Sequence, residues 1–401
     1  LKYTSKRAGV ANGWKKWQGE VLGLKINDAT GKKQTYEKAF QHRADRDERN
    51  EWSRKILPQI GAAAEKVDEL LYTDQYIKEC PLAIELIQQG AALEKIANCY
   101  RLDISNKQLN DTLKKIAAGM EGFYKNYDAA TDKDVFITLM ELYFTKCPNA
   151  IPEYYRSQYQ KHHKDISLWA EDIYNNSMFL SQAKLNKFIT VAQQADSEDL
   201  FADPAWQLYA SIAAIRKEKI SPLLKDYYAR IHYLDRLYMK AQMTRDKKVF
   251  YPDANLTLRL TYGKVAGLDP DGPAKYSYKT DLGEVIALDD STSDIFKVPK
   301  KLKELYNNKD YGRWGIHGSM PVAFVASNHT SGGNSGSPVL NSKGELIGTN
   351  FDRAYEGTMS DYYFDPVRCR NISVDIRYTL FIIEKFGGAG WLIDEMRIVK
   401  K

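Results

Sequence analysis

"SGGNSGSPVLNSKGELIGTNFDR", residues 331–353, decides how the C-terminal part of this chain is read. Gly332, Gly333 and Gly336 surround Ser335, and Pro338 then opens an apolar run. "NSKGE", residues 341–345, has the Asn, Ser and Gly of a hairpin turn, and a second apolar run follows it. The local order is therefore strand, turn, strand. Two readings start from here. Ser335 is a nucleophile held in a glycine-shaped loop, or the stretch is a plain glycine-rich hairpin.

The surroundings of the loop are β-rich. "PVAFVAS", "GSPVLN", "ELIGTNF" and "ISVDIRY" are short runs separated by Gly-, Pro- and Asp-containing turns. Upstream, Leu256, Leu258 and Leu260 alternate with Thr257 and Arg259, a period of two that predicts a strand. "RYTLFIIEKFGGAGWLIDEM" predicts a terminal helix stopped at Gly387-Gly388, with a short segment after it.

Before about residue 247 the period changes to that of helices. "IGAAAEKVDELLYTDQYIKE" sets Ile60, Ala64, Val67 and Leu71 on one helical face. "PLAIELIQQGAALEKIANCY" does the same with Ile84, Ile87, Leu93 and Ile96. Pro58, Pro81, Pro152 and Pro222 mark starts or breaks. The expected class is α+β, with a helical domain over 1–247 and an antiparallel β domain with a C-terminal helix over 248–401. The Tyr, Leu and Met positions of the helices read as core packing.

A hydrophobic share of 43% is enough for a full core in each domain. The net charge of +6 is small for 401 residues, and Lys and Glu interleave, so no nucleic-acid-binding face is indicated. "KVPKKLKELYNNKDYGR", residues 297–313, is the densest basic stretch and reads as a solvated helix face. Cys80, Cys99, Cys147 and Cys369 are scattered without a CxxC, against a metal or redox site; they are buried thiols or one or two disulfides. No apolar run reaches membrane-span length. "LKYTSKRAGVANGWKKWQGEV" lacks Met and a signal peptide and reads as the interior of a longer protein.

The β context bears on Ser335. A Gly-x-Ser-x-Gly nucleophile elbow belongs between a strand and a helix, which strand–turn–strand disfavours. Gly-Asn-Ser-Gly-Ser-Pro instead matches the serine loop of chymotrypsin-like proteases, usually Gly-Asp-Ser-Gly-Gly-Pro. Acyl transfer needs backbone N–H groups aimed at a developing oxyanion, and Gly333 and Ser335 are placed to supply them. A serine also needs a base. His42, His162, His163 and His232 fall in predicted helices, His329 is only six residues before Ser335, and His317 is a weak candidate in a Gly-rich loop. The base and its acid are therefore expected upstream of residue 1.

Four stretches together, "ANGWKKW", "YPDANLTLRLTYGKV", "SGGNSGSPVLNSKGELIGTNFDR" and "SVDIRYTLFIIEKFGGA", resemble the family S46 dipeptidyl peptidases, of the types called dipeptidyl peptidase 7 and 11, and most of all type 11. The resemblance implies a chymotrypsin-like double β-barrel with an inserted α-helical cap domain, of which this chain holds the cap and the second barrel. It implies Ser335 as nucleophile, Gly333 as an oxyanion donor, and Asp352 and Asn12 as ligands of the substrate's free α-amino group, with Phe351 in the subsite wall. It also implies a homodimeric, periplasmic or cell-surface exopeptidase acting on peptides. No cofactor or metal is called for by serine acyl transfer. The upstream half would supply His and Asp, and this chain alone would be nearly inactive.

Arg353 follows Ser335 by 18 residues, after "ELIGTNF". The resemblance implies Arg at this position in enzymes preferring Asp or Glu at P1 and Gly in those preferring apolar residues. A planar, permanently charged fork suits a carboxylate, and an apolar P1 would leave the charge unpaired. The other reading is a structural ion pair of Arg353 with Asp352 or Glu356. Asp352 and Arg353 alternate on a strand, so two subsites are expected rather than a mutual salt bridge. Two further readings stay open: an apolar-P1 relative, and a non-catalytic peptide-binding module on a degenerate protease fold. The sequons at Asn255 and Asn328 carry no weight.

Overall fold

The computed structural model describes residues 2–102, 105–191, 201–246, 249–250, 256–268, 276–293 and 295–399. Two compact units emerge: residues 40–250, and residues 1–39 joined with 251–401.

The first unit is helical. Buried Leu86, Ile87, Leu93 and Ile96 come from the helix Glu85–Arg101, and buried Ile84, expected on the same face, precedes it in extended conformation. They share a core with Phe136, Met140 and Tyr143 of Ala129–Lys146, Trp169 of Ile166–Asn176 and Leu208 of Pro204–Ile215. Buried polar groups anchor helix starts. Asp132 accepts the Glu85 and Leu86 N–H groups, both at 2.9 Å. Asp203 caps Pro204–Ile215 through the Ala205 and Trp206 N–H groups. The helix predicted through Ile60 and Leu71 is two, Ile56–Glu65 and Asp68–Glu79, because the chain leaves helical geometry at Val67 (φ −123°). Cys80, Cys99 and Cys147 in this unit and Cys369 in the other are buried free thiols, which resolves the open choice against disulfides.

The second unit carries one antiparallel sheet. Its strands are β1 (Lys279–Asp281), β2 (Pro321–Ala326), β3 (Pro338–Leu340), β4 (Leu346–Arg353) and β5 (Asn371–Asp375), in spatial order β1-β2-β5-β4-β3. The β3–β4 hairpin turns through 341–345, where Gly344 adopts φ +79°. The terminal helix starts at Ile376, capped by Asp375, and its last turn widens to π geometry over Ile382–Phe386 before Gly387 and Gly388. It packs Leu380 and Phe381 against Leu282, Leu302, Trp314 and Met320. The basic stretch forms the helix Lys300–Asn307, with Leu302 inward and Lys303 paired to Asp289 at 2.6 Å.

The strand expected at Leu256–Leu260 is absent. Residues 251–255 of that motif lie outside the described residues. Leu256, Leu258 and Leu260 are exposed, and pairing begins only at the isolated bridge Val265↔Ala326. Alternation marks a strand only where a neighbour supplies ladder bonds, and none is present there among the described residues.

The first helix, α1 (Lys2–Ile26), is grouped with the sheet. The reason is close packing on residues 355–359. A Cβ at Gly23 would lie 2.4 Å from the Glu356 carbonyl, and one at Gly19 would lie 2.5 Å from the Tyr355 carbonyl. Asn27 adds a bond to Met359 Sδ at 3.3 Å.

Candidate active site

The serine loop is shaped by glycine. Gly333 (φ +98°) and Gly336 (φ +85°) take left-handed conformations that side-chain-bearing residues rarely adopt. Between them Ser335 is exposed at the loop tip. Asn334 folds the loop on itself, its Oδ1 accepting the Ser331 N–H at 2.8 Å.

A buried amide behind the loop was not singled out by the sequence. Asn350 exchanges main-chain bonds with the loop, accepting from Gly336 N at 2.8 Å and donating to Ser337 O at 2.9 Å. Its side chain donates to Asn334 O at 3.1 Å and accepts from Asn371 Nδ2 at 3.0 Å. The only advance signal was an Asn inside an apolar strand run, where a buried amide requires partners.

β4 then breaks register. Asn350 pairs with Ser373 and Asp352 with Ile372, so Phe351 is the extra residue of a bulge. Its carbonyl, out of the ladder, accepts the Ser335 hydroxyl at 3.3 Å. That is the only hydrogen bond of the Ser335 hydroxyl among the described residues, so no imidazole engages it. His329 stacks on Phe364 at 4.5 Å and its Nε2 meets Ser360 O at 3.1 Å. His317 is exposed in a turn at φ +49°. His162 bridges Gln158 O and Asp172 in the helical unit. The Gly333 and Ser335 N–H groups have no acceptor among the described residues, as oxyanion donors require.

Asp352 is exposed and accepts only the Arg353 N–H, at 2.8 Å; no cation pairs with it among the described residues. Arg353 points elsewhere, as the alternation requires, with 11% of its side chain exposed. Its partner is neither Asp352 nor Glu356. Nη1 and Nη2 fork onto Asp361 Oδ1 and Oδ2 at 2.7 and 3.2 Å. Nη1 also meets Ser360 Oγ at 2.7 Å and the Thr330 and Thr358 carbonyls at 3.4 Å. The guanidinium is thus already paired, so an apolar P1 residue would not strand a bare charge.

Burial alone would raise the Asp361 carboxyl; the Arg353 hydrogen bond and charge, then those of Lys16, outweigh it and hold it below the ordinary value. Lys16 Nζ lies 3.3 Å from both Asp361 Oδ2 and Glu20 Oε1. Lys16 is one turn beyond Asn12 on α1, so the exposed Asn12 shares the helix face turned to this segment. No direct bond joins Asn12 to Asp352.

Other features carry no such chemistry. A cavity of about 520 Å³ in the helical unit has an apolar wall that includes Val67, Leu70 and Leu223, with charged Arg54, Lys66 and Asp226 also lining it. No cluster of three potential metal-ligating side chains occurs among the described residues, and no described helix is long and apolar enough to cross a membrane.

Residues 1–398 match the family model described as Peptidase S46. The Asp/Glu-specific dipeptidyl-peptidase of Flavobacterium psychrophilum is 38% identical over 405 residues, covering 100% of this chain and 55% of that protein. The dipeptidyl-peptidase 7 of Phocaeicola vulgatus is 34% identical over 409 residues, again covering 100% and 55%. The crystal structure of Porphyromonas endodontalis DPP11 in complex with dipeptide Arg-Glu superposes with TM-score 0.86 at 32% identity, over 98% of this chain and 56% of that one. The chain therefore spans about half the length of these relatives.

Proposed function

The chain belongs to the peptidase S46 family, and from that membership and its site geometry we propose that it is the serine-bearing part of a dipeptidyl peptidase selective for Asp or Glu at P1. The observation that carries the reading is Arg353, in a cage of acceptors on the strand that receives the Ser335 hydroxyl.

In this reading residues 248–401 form the second barrel of a chymotrypsin-like protease domain and residues 1–247 contribute its helical cap. Ser335 Oγ attacks the scissile carbonyl, with its proton taken by a histidine held by an aspartate, both supplied by the upstream half of the protein. The Gly333 and Ser335 N–H groups receive the oxyanion. The intermediate collapses with cleavage of the C–N bond as the histidine returns the proton to the departing amine, leaving the dipeptide as an ester of Ser335. Water, its proton taken by the same histidine, then cleaves the ester, and Ser335 Oγ regains its proton. The exposed Asp352 carboxylate, with Asn12, binds the substrate's ammonium group, and the exposed ring of Phe351 walls the subsite. The protein acts as a homodimer in the periplasm or at the cell surface. The chain by itself has only residual activity.

A second reading has a specific support: the Asp361 pairing makes Arg353 a structural cation, and P1 is then apolar, as in a dipeptidyl-peptidase 7. The deciding assay is dipeptide release by the full-length protein from reporters with Asp, Glu, Leu or Met at P1, each with a free or blocked N-terminus. Release confined to acidic P1 and abolished by blocking supports the first reading. Preference for Leu or Met supports the second, and no release from any reporter would favour a peptide-binding module.

A further inference from the structure

A guanidinium presents five N–H donors in one plane: two on Nη1, two on Nη2, one on Nε. Their use in Arg353 is uneven. Asp361 takes the end-on fork, one N–H from each Nη. The second Nη1 donor is spent on Ser360 Oγ and the Thr330 and Thr358 carbonyls. What remains is the second fork, the Nε N–H and its parallel neighbour on Nη2, with no acceptor among the described residues. That pair has the spacing of a carboxylate's two oxygens. Thr330, whose carbonyl touches Nη1, also keeps a buried hydroxyl without a partner.

The charges alternate toward this edge. Glu20 meets Lys16, Lys16 meets Asp361, and Asp361 meets Arg353. One more carboxylate would continue the series.

We propose that Asp361 is a positioning residue for P1 selection: by gripping the end-on edge of Arg353 it fixes the guanidinium so that the Nε–Nη2 edge receives the P1 carboxylate. Asp361 does not touch substrate and does not compete for the same donors. Its role rests on the acidic-P1 reading above, and it adds a residue eight positions beyond the specificity arginine and on a different element.

The test uses the full-length protein with Glu-P1 and Leu-P1 reporters, comparing the parent, Asp361→Asn, Asp361→Glu and Ser360→Ala. For Asp361→Asn, the expected result is a KM for the Glu reporter raised about tenfold, with kcat held within about threefold, because the loosened fork costs binding rather than chemistry. Leu-reporter kinetics should not change, and Asp361→Glu should recover most of the loss. Should Asp361→Asn fail to fold, Ser360→Ala reads the same cage, with KM for the Glu reporter raised about threefold. Three outcomes overturn the positioning role: a lowered KM for Glu, which would make Asp361 a competitor; equal losses on both reporters, which would make it merely structural; or no change in a parent that prefers Glu. A parent that prefers Leu overturns the acidic-P1 reading itself, and the positioning role with it.

Discussion

The Asn350 side chain donates to the main-chain carbonyl of Asn334 at 3.1 Å, tying the bulged strand β4 to the loop that carries Ser335. The same residue holds Gly336 and Ser337 through its own main chain. Asn350→Ala keeps the main-chain bonds but leaves Asn334 O and Asn371 Nδ2 without this partner. Such losses cost about 1–3 kcal/mol each when buried. The melting temperature should fall by several degrees, and kcat/KM of the full-length enzyme by about tenfold on every reporter, since the nucleophile is displaced rather than a subsite. A variant with full activity would show that the loop holds its shape without the amide.

Arg353→Gly should redirect selectivity. Removing the guanidinium takes away a charge-assisted bond worth ~2 kcal/mol or more, about 30-fold in kcat/KM for Glu at P1. It also leaves Asp361 to Lys16 alone, so the mutant subsite is negative and disfavours an acidic side chain further. Activity on Leu should rise relative to Glu. Retained preference for Glu would remove Arg353 from the P1 subsite.

The Arg353–Asp361 pair should also give stability a pH dependence of known sign. Asp361 is held below its ordinary value, chiefly by the Arg353 hydrogen bond and charge acting against burial. A depressed carboxyl contributes fully above the unfolded pKa of about 3.9 and loses that contribution as pH falls through the folded value. The difference in melting temperature between the parent and Asp361→Asn should be constant from about pH 7 to 5 and shrink below about pH 3. An equal gap at low pH would mean that shape, not charge, is what Asp361 contributes.

The thiols offer a check on the core. All four cysteines are free and buried, and burial, with smaller contributions from Cys147 and Glu79, pushes the Cys80 thiol up to about 11. Thiolate is the reactive form, so a thiol reagent at neutral pH should label none of them in the native protein. After denaturation it should label all four. Prompt labelling of Cys80 or Cys147 in the native state would contradict the packing of the helical core around them.

What the sequence determined by itself was local. The hairpin through 341–345, the positive-φ glycines around Ser335 and the helical face of Ile87, Leu93 and Ile96 all follow from neighbours a few residues apart, where backbone sterics and periodicity act directly. The separation of Asp352 and Arg353 onto different sides followed from the pleat alone. Tertiary structure decided what depends on distant groups. Leu256–Leu260 has the alternation of a strand but no ladder partner among the described residues, and the helix through Val67 breaks despite its periodicity. The partner of Arg353 is Asp361, brought back by the turn of residues 355–361, and Lys16 reaches the same carboxylate from the other end of the chain. Gly19 and Gly23 leave room for the carbonyls of Tyr355 and Glu356, a close approach that depends on residues more than 300 positions away. Charge pairing and close packing act through space, and spacing along one chain does not encode which distant residue will fill it.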